Sequence, residues 1–254
     1  MRISIRTTMT RFLSGGERIA SSFPYDSEII ASLASHYNGA NQPGRAEEVA
    51  KNYIYKCDST NLYINKEYAY SLFMQFKYDE AIPLYEKLIA QGFDNFVSNF
   101  ILGLCYEDQP DNEKALKHYQ KAILFKSDNA TCLFHLALAE KALNMDSLSM
   151  AHFNQSLEVS LPKGRALRTY KWLADLHFQH SRYADAARDF ELCTLYDEED
   201  NPLNYYNAAQ MFIASKNKLK AKLYLQMFLA NANRLEDKKE AAQLISKAKE
   251  QLKQ

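Results

Sequence analysis

In the stretch "YDEAIPLYEKLI", Tyr78 to Ile89, apolar residues return every three or four positions, the spacing that lines one face of an α-helix. Asp79 is placed to cap that helix with its side chain, and Pro83 to sit in its first turn, where a missing N–H costs least. Thirty-four residues further on, "NEKALKHYQKAI" repeats the layout, with Ala115 standing for Ala81 and Tyr119 for Tyr85. Twelve residues before each of these alanines is another small residue, Ala69 or Gly103, in a helical run of its own. The unit is therefore a pair of helices, and the pair recurs along the chain. One small-residue column reads Ala34, Ala69, Gly103, Ala137, Ala174, Ala209; a second reads Ala46, Ala81, Ala115, Ser149, Ala186, Ala221. Four residues after the second column come Ala50, Tyr85, Tyr119, Phe153, Phe190 and Leu225. Small side chains where two helices approach let a bulky neighbour insert, and a hairpin that cannot bury its own apolar face does so by stacking on the next.

Leu102, Gly103 and Tyr106 stand as L-G-x-x-Y, and with the alanine and aromatic columns they resemble the tetratricopeptide repeat (TPR) signature, W-x2-L-G-x2-Y, then A-x3-F, then P, over 34 residues. The resemblance implies an all-α fold: a right-handed α-solenoid of stacked helix-turn-helix hairpins with a C-terminal capping helix. On this frame residues 1–25 are expected to be a disordered basic tail and residues 26–234 the array, with repeats near 27–61, 62–95, 96–129, 130–163, 167–200 and 202–234. Residues 235–254 form the cap, in which Leu235, Ala241, Ile245, Ala248 and Leu252 recur at helical spacing among Lys and Glu. The chain departs from the pattern in three ways. The Trp column holds Ile30, Asn65, Asn99, Leu133, Tyr170 and Tyr205; no repeat has the closing Pro; and an extra "LPKGR" separates the fourth and fifth copies.

Composition narrows the function classes. Thirty-one basic and thirty-one acidic residues cancel, so no global field draws the protein to nucleic acid or anionic lipid. No apolar run is long enough to span a membrane, and the N-terminus has no continuous apolar segment of a secretory signal. As written, the chain is expected in the cytoplasm, or in a periplasm if an upstream signal precedes it. Cys57, Cys105, Cys132 and Cys193 are scattered, without a Cys-x-x-Cys pair, and are expected to be buried reduced thiols.

Candidate chemistry is sparse. His177 and His180 form H-x-x-H on one helix, but Asp175 is the only near acidic neighbour and is poorly phased with both. His118 and His152, in equivalent second-helix positions, are expected on the outer face. The acidic run Asp197 to Asp200 is expected to remain solvated at a helix start. No nucleotide-binding, hydrolase or zinc-protease motif is present. The expectation is a protein that is not an enzyme and takes no cofactor or metal.

The resemblance also implies where a partner sits, because in TPR proteins the first helix of each hairpin lines a concave, peptide-binding wall. The matching positions are Tyr63, Lys66, Tyr70 and Phe73; Phe100 and Leu104; Phe134 and Leu138; Arg168, Lys171 and Asp175; and Tyr206 and Gln210. The polar clamp with which one TPR subgroup grips a C-terminal carboxylate is replaced by Tyr70, Phe100, Leu104 and Phe134. The expected function is a non-enzymatic scaffold or adaptor that binds an apolar or amphipathic segment of a protein partner in the concave groove. The alternative is a self-associating structural protein, a homo-oligomer whose groove accepts its own tail or a neighbouring subunit.

Overall fold

The computed structural model of the chain describes residues 15–160 and 162–253, and no strand occurs among them. Twelve helices follow in pairs. They are α1 (Ser27–Gly39) and α2 (Pro43–Lys56), α3 (Leu62–Met74) and α4 (Tyr78–Ala90), α5 (Phe96–Asp108) and α6 (Asn112–Phe125), α7 (Ala130–Ala142) and α8 (Asp146–Glu158), α9 (Lys163–Gln179) and α10 (Tyr183–Tyr196), and α11 (Pro202–Ala214) and α12 (Lys218–Asn231). A short 3-10 turn, Ala232–Arg234, leads into a final helix, α13 (Lys238–Gln251). The chain divides into two compact units, one up to Ser127 and one from Asp128. Within the first, α1 packs on α2 and on α3, and α4 on α5; within the second, α8 packs on α9 and α10 on α11. Each unit is thus a stack of hairpins.

Two local devices repeat with the hairpins. Five first helices begin at an Asx residue whose side chain accepts a backbone N–H of the first turn: Asp26, Asn61, Asn95, Asn129 and Asn201. Every first helix ends in the same closing bond, in which Gln42, Lys77, Asp111, Met145, Arg182 and Asn217 donate back to the carbonyls of Tyr37, Leu72, Tyr106, Glu140, His177 and Phe212. That is the Schellman geometry, and it requires a left-handed residue just before the donor. In five of the six turns Asn41, Phe76, Asn144, Ser181 and Lys216 fill it at φ 58°, 59°, 58°, 57° and 61°. Asparagine tolerates that conformation; Phe76, Ser181 and Lys216 hold it against a Cβ penalty.

The small-residue columns are where the hairpins close. Ala34, Ala69, Ala137, Ala174 and Ala209 are fully buried, as are Ala46, Ala81, Ala115, Ser149 and Ala186. At Gly103 the reason is direct: a Cβ there would lie 2.3 Å from Cε1 of Tyr119. The ring occupies the space a side chain would take, and its hydroxyl donates to Glu107 at 2.6 Å. Asn65 and Asn99, which replace the large Trp of the TPR pattern, are buried and anchored to the preceding loops, Asn65 on the Ser59 and Asn61 carbonyls and Asn99 on Asp94 and the Asn95 carbonyl.

Three local expectations change. The N-cap of α4 is Lys77, which makes no side-chain capping bond; Asp79 lies inside the first turn and accepts from Gln109 at 2.5 Å instead. Because the helix starts at Tyr78, Pro83 is its sixth residue and leaves the Asp79 carbonyl without a helical donor. Part of the expected disordered tail is ordered: residues 15–22 are helical, Ala20 is buried, and Glu17 accepts from the Tyr37 hydroxyl. The rest of that tail, residues 1–14, lies outside the described residues.

Candidate functional site: the first-helix faces

In the first unit, α1, α3 and the start of α5 enclose a groove of about 660 Å³. Lys66, Tyr70, Phe93, Phe96 and Val97 line it, with Asn38 and Glu67 in its wall. Of the residues expected there, Lys66 and Tyr70 are present. Tyr63 is 66% exposed and meets the Phe93 ring edge-on at 5.8 Å, while Tyr70 stacks on Phe73 at 6.1 Å. Phe100 and Leu104 are half-buried, and Phe100 lies between Phe96 at 5.5 Å and Tyr119 at 6.0 Å. Asn38 is a feature the sequence did not disclose. Its Nδ2 donates to the Glu67 carbonyl and to Glu67 Oε2, both at 3.1 Å, which fixes the amide orientation. The buried Oδ1 then has no partner among the described residues.

The second unit treats the equivalent positions differently. Phe134 is 1% exposed and packs on Phe153 at 5.8 Å, so its ring belongs to the core rather than to an open wall. Tyr206 is likewise buried, 5.0 Å from Phe228, and Gln210 exchanges hydrogen bonds with Gln251 of α13 at 2.9 and 3.0 Å. Leu138 is half-buried against the Phe134 cluster. Arg168 and Lys171 are exposed, whereas Asp175 pairs with Lys141 at 3.3 Å. The Lys141 ammonium also lies 4.6 Å above the Trp172 ring. Of the thirteen expected positions, Tyr63, Lys66, Arg168 and Lys171 are exposed, Phe134 and Tyr206 are buried, and the other seven are half-buried.

The histidines form a pattern across the hairpins. Residues twelve apart face each other between first and second helices: Tyr106 stacks on His118 at 5.7 Å, Glu140 meets His152 at 2.8 Å, and His177 meets Asp189 at 2.6 Å. His118 and His152 thus point into their hairpins, not outward as expected, because the column they face offers an aromatic ring or a carboxylate. His118 also contacts Asn99 at 3.1 Å, and burial with nearby Lys117 and Lys121 holds its imidazole below the usual range. Burial, only partly offset by the hydrogen bond from His177, raises the Asp189 carboxyl to about 6. His177 and His180 do not converge: His180 contacts Asp146, on α8, at 2.9 Å. No group of three or more His, Cys, Asp or Glu among the described residues could hold a metal ion.

Two further expectations are modified. Cys105, Cys132 and Cys193 are buried, and desolvation pushes each thiol up to about 12, but Cys57 is exposed. The acidic run organises its loop rather than standing free in water. Asp197 accepts from the Glu199 and Asn201 amides and from Asn204, and Asp200 pairs with Arg234 at 2.6 Å. No helix among the described residues is long and apolar enough to cross a membrane.

Comparison with known proteins agrees with the hairpin geometry. The tetratricopeptide repeat profile matches residues 69–130. No curated protein sequence matches the chain. Among solved structures, a crystal structure of MamA superposes with a TM-score of 0.55 at 20% identity, covering 62% of this chain and 92% of MamA. A chain of the APC/C hetero-tetramer Cut9-Hcn1 superposes with a TM-score of 0.56 at 16% identity, covering 94% of this chain and 46% of that one. At such identities the likeness is one of fold. The recurring helix pairs and the L-G-x-x-Y run closed by Tyr119 carry the tetratricopeptide repeat geometry that the profile match finds over residues 69–130.

Proposed function

We propose that this chain is a protein-interaction adaptor and that the groove among α1, α3 and α5 receives an apolar or amphipathic peptide segment. The observation that carries the reading is the groove itself: its aromatic wall of Tyr70, Phe93 and Phe96 is open, and Val97 at its rim is 53% exposed. Aromatic side chains in a concave wall are efficient anchors, because they bury large area for little lost freedom. Asn38 Oδ1 adds a buried acceptor that a peptide N–H would satisfy. The TPR fold supports the reading by analogy only, since fold and function are separable.

The test is site-specific photo-crosslinking in the native host. A benzophenone side chain is placed at Val97, in the groove, or at Leu124, which is 84% exposed near the end of α6. A partner captured from Val97 and absent from Leu124 supports the groove. Equal capture at both sites overturns it, and self-crosslinks from Val97 move the assignment to association between copies.

A further inference from the structure

The fifth hairpin differs from the others in its first helix. α9 has 17 residues, whereas α1, α3, α5, α7 and α11 each have 13. The extra "LPKGR" segment accounts for this: it replaces the Asx cap by Pro162 and starts the helix one turn early. That added turn carries Arg165, whose guanidinium donates to the Thr131 hydroxyl of α7 and lies 5.9 Å from the Phe134 ring centre. Arg168, one turn on, lies 5.5 Å from the same ring. Lys171 continues the row, exposed, at the same three-residue step.

Like charges at this spacing repel, and native helices usually answer them with a carboxylate. Elsewhere in this unit Lys141, Lys220, Arg234 and Lys163 are answered by Asp175, Glu191, Asp200 and Glu198, while Lys216, Lys218 and Lys222 stand singly in solvent without an aromatic ring beneath them. Arg165, Arg168 and Lys171 have no carboxylate partner among the described residues. Both guanidiniums lie within 6 Å of the Phe134 ring centre, and each guanidinium fork can bind a carboxylate in two-pronged fashion. The geometry points to the α9 face as a docking site for an acidic peptide segment of a partner protein, with Arg165 and Arg168 gripping its carboxylates and Lys171 extending the track. The cationic row is three residues long in a chain with no net charge, too short for the extended phosphate tracking that nucleic-acid binding requires. The inference rests on the reading of first-helix faces as the partner side, but it uses residues of the other unit.

Full-length protein is titrated against a fluorescein-labelled peptide of alternating glutamate and leucine, read by fluorescence anisotropy. Its glutamine analogue, its lysine analogue and a single-stranded oligothymidine serve as comparators. Wild type is expected to bind the glutamate peptide about tenfold more tightly than the glutamine one, and less tightly as salt is raised. Arg165→Glu with Arg168→Glu should lose that preference and turn it toward the lysine peptide, whereas Lys249→Glu on α13 should leave it unchanged. Arg168→Ala alone, an exposed truncation that leaves the Thr131 contact in place, should weaken binding severalfold and guards against misfolding of the double variant; circular dichroism checks both. Equal affinity for the glutamate and glutamine peptides, unchanged binding by the variants, or tighter binding of the oligothymidine would each overturn the assignment. Crosslinking at Val97 reads the other unit, so a failed groove and a failed α9 face give different results.

Discussion

In the third hairpin, Tyr106 of α5 stacks on His118 of α6; in the fifth, the same two positions hold His177 and Asp189, 2.6 Å apart. The third hairpin also closes by subtraction, with Gly103 vacating space for the Tyr119 ring, whereas the fifth keeps Ala174 and leaves Phe190 only half-buried. One helix-pair geometry is thus held in one case by aromatic interlocking and in the other by an enclosed polar pair. The first arrangement draws mainly on ring packing, the second on the electrostatics of an enclosed polar pair. The difference extends to the surface, where the third hairpin belongs to an aromatic unit and the fifth presents unanswered cations.

The sharpest way to break the contrast is to remove the inserted ring. Tyr119→Ala empties a fully buried site and removes one hydrogen bond to Glu107, so a loss of about 3–5 kcal/mol is expected in urea unfolding. Phe190→Ala in the fifth hairpin should cost clearly less. Adding or deleting one methyl comes next. Gly103→Ala drives a Cβ into Tyr119 and should destabilise by about 2 kcal/mol, whereas Ala174→Gly should cost about 1 kcal/mol, mainly helix propensity. A similar loss for both would mean that the ring, not the missing methyl, adjusts.

The titrating groups should oppose each other. Asp189 has a folded-state pKa raised from 3.8 to about 6, so its contribution is fully present below about pH 4 and is lost as pH rises through 6. His118 is depressed below 6.5, so its contribution is present above that value and is lost as pH falls below it. Each can change stability by at most about 1.4 kcal/mol per pH unit. Unfolding midpoints followed from pH 4 to 8 should therefore lose an acid-side gain in Asp189→Asn and an acid-side loss in His118→Gln; parallel curves for both variants would remove the distinction. The smallest effect is expected at the turn of the fifth hairpin. Ser181→Gly relieves a residue at φ 57° and should raise stability by about 0.5 kcal/mol in the same assay.

The small-residue columns were legible in the sequence because their cause is local and periodic: Ala69, Ala81 and Ala115 sit where two helices touch, and that contact returns every repeat. The Gly103–Tyr119 fit could be read for the same reason. The turns could not, since Phe76 and Lys216 carry no sign of a left-handed backbone and adopt it because the Schellman bond demands it. The facing of His118 and His152 was missed because an outward position was inferred from helix register alone, without the partner opposite. Repeat spacing alone puts Lys66 and Tyr70 on the groove they line, but it also puts Phe134, Tyr206 and Gln210 on an open wall, where the first two are buried and the third is bonded to Gln251. Burial there depends on Phe153, Phe228 and α13, long-range neighbours that repeat spacing does not encode. Arg165 escaped notice because it lies in the extra segment, outside the repeat frame.

The exchanged pair between Gln210 and Gln251 has a consequence for how the molecule breathes. α13 buries only two alanines, Ala241 and Ala248, and joins α11 through two neutral amide bonds at its far end. Its larger apolar side chains, Leu244 and Ile245, are only partly buried against the core, so this helix should open and reclose as a separate cooperative unit well below the free energy of global unfolding. Its amides should exchange with deuterium long before those of α12, where Leu225 and Phe228 are shut in. Each opening uncovers more of Ile213, Ala221 and Leu225, which now share a cleft with Leu252, so the sixth hairpin alternates between a covered and a sticky face.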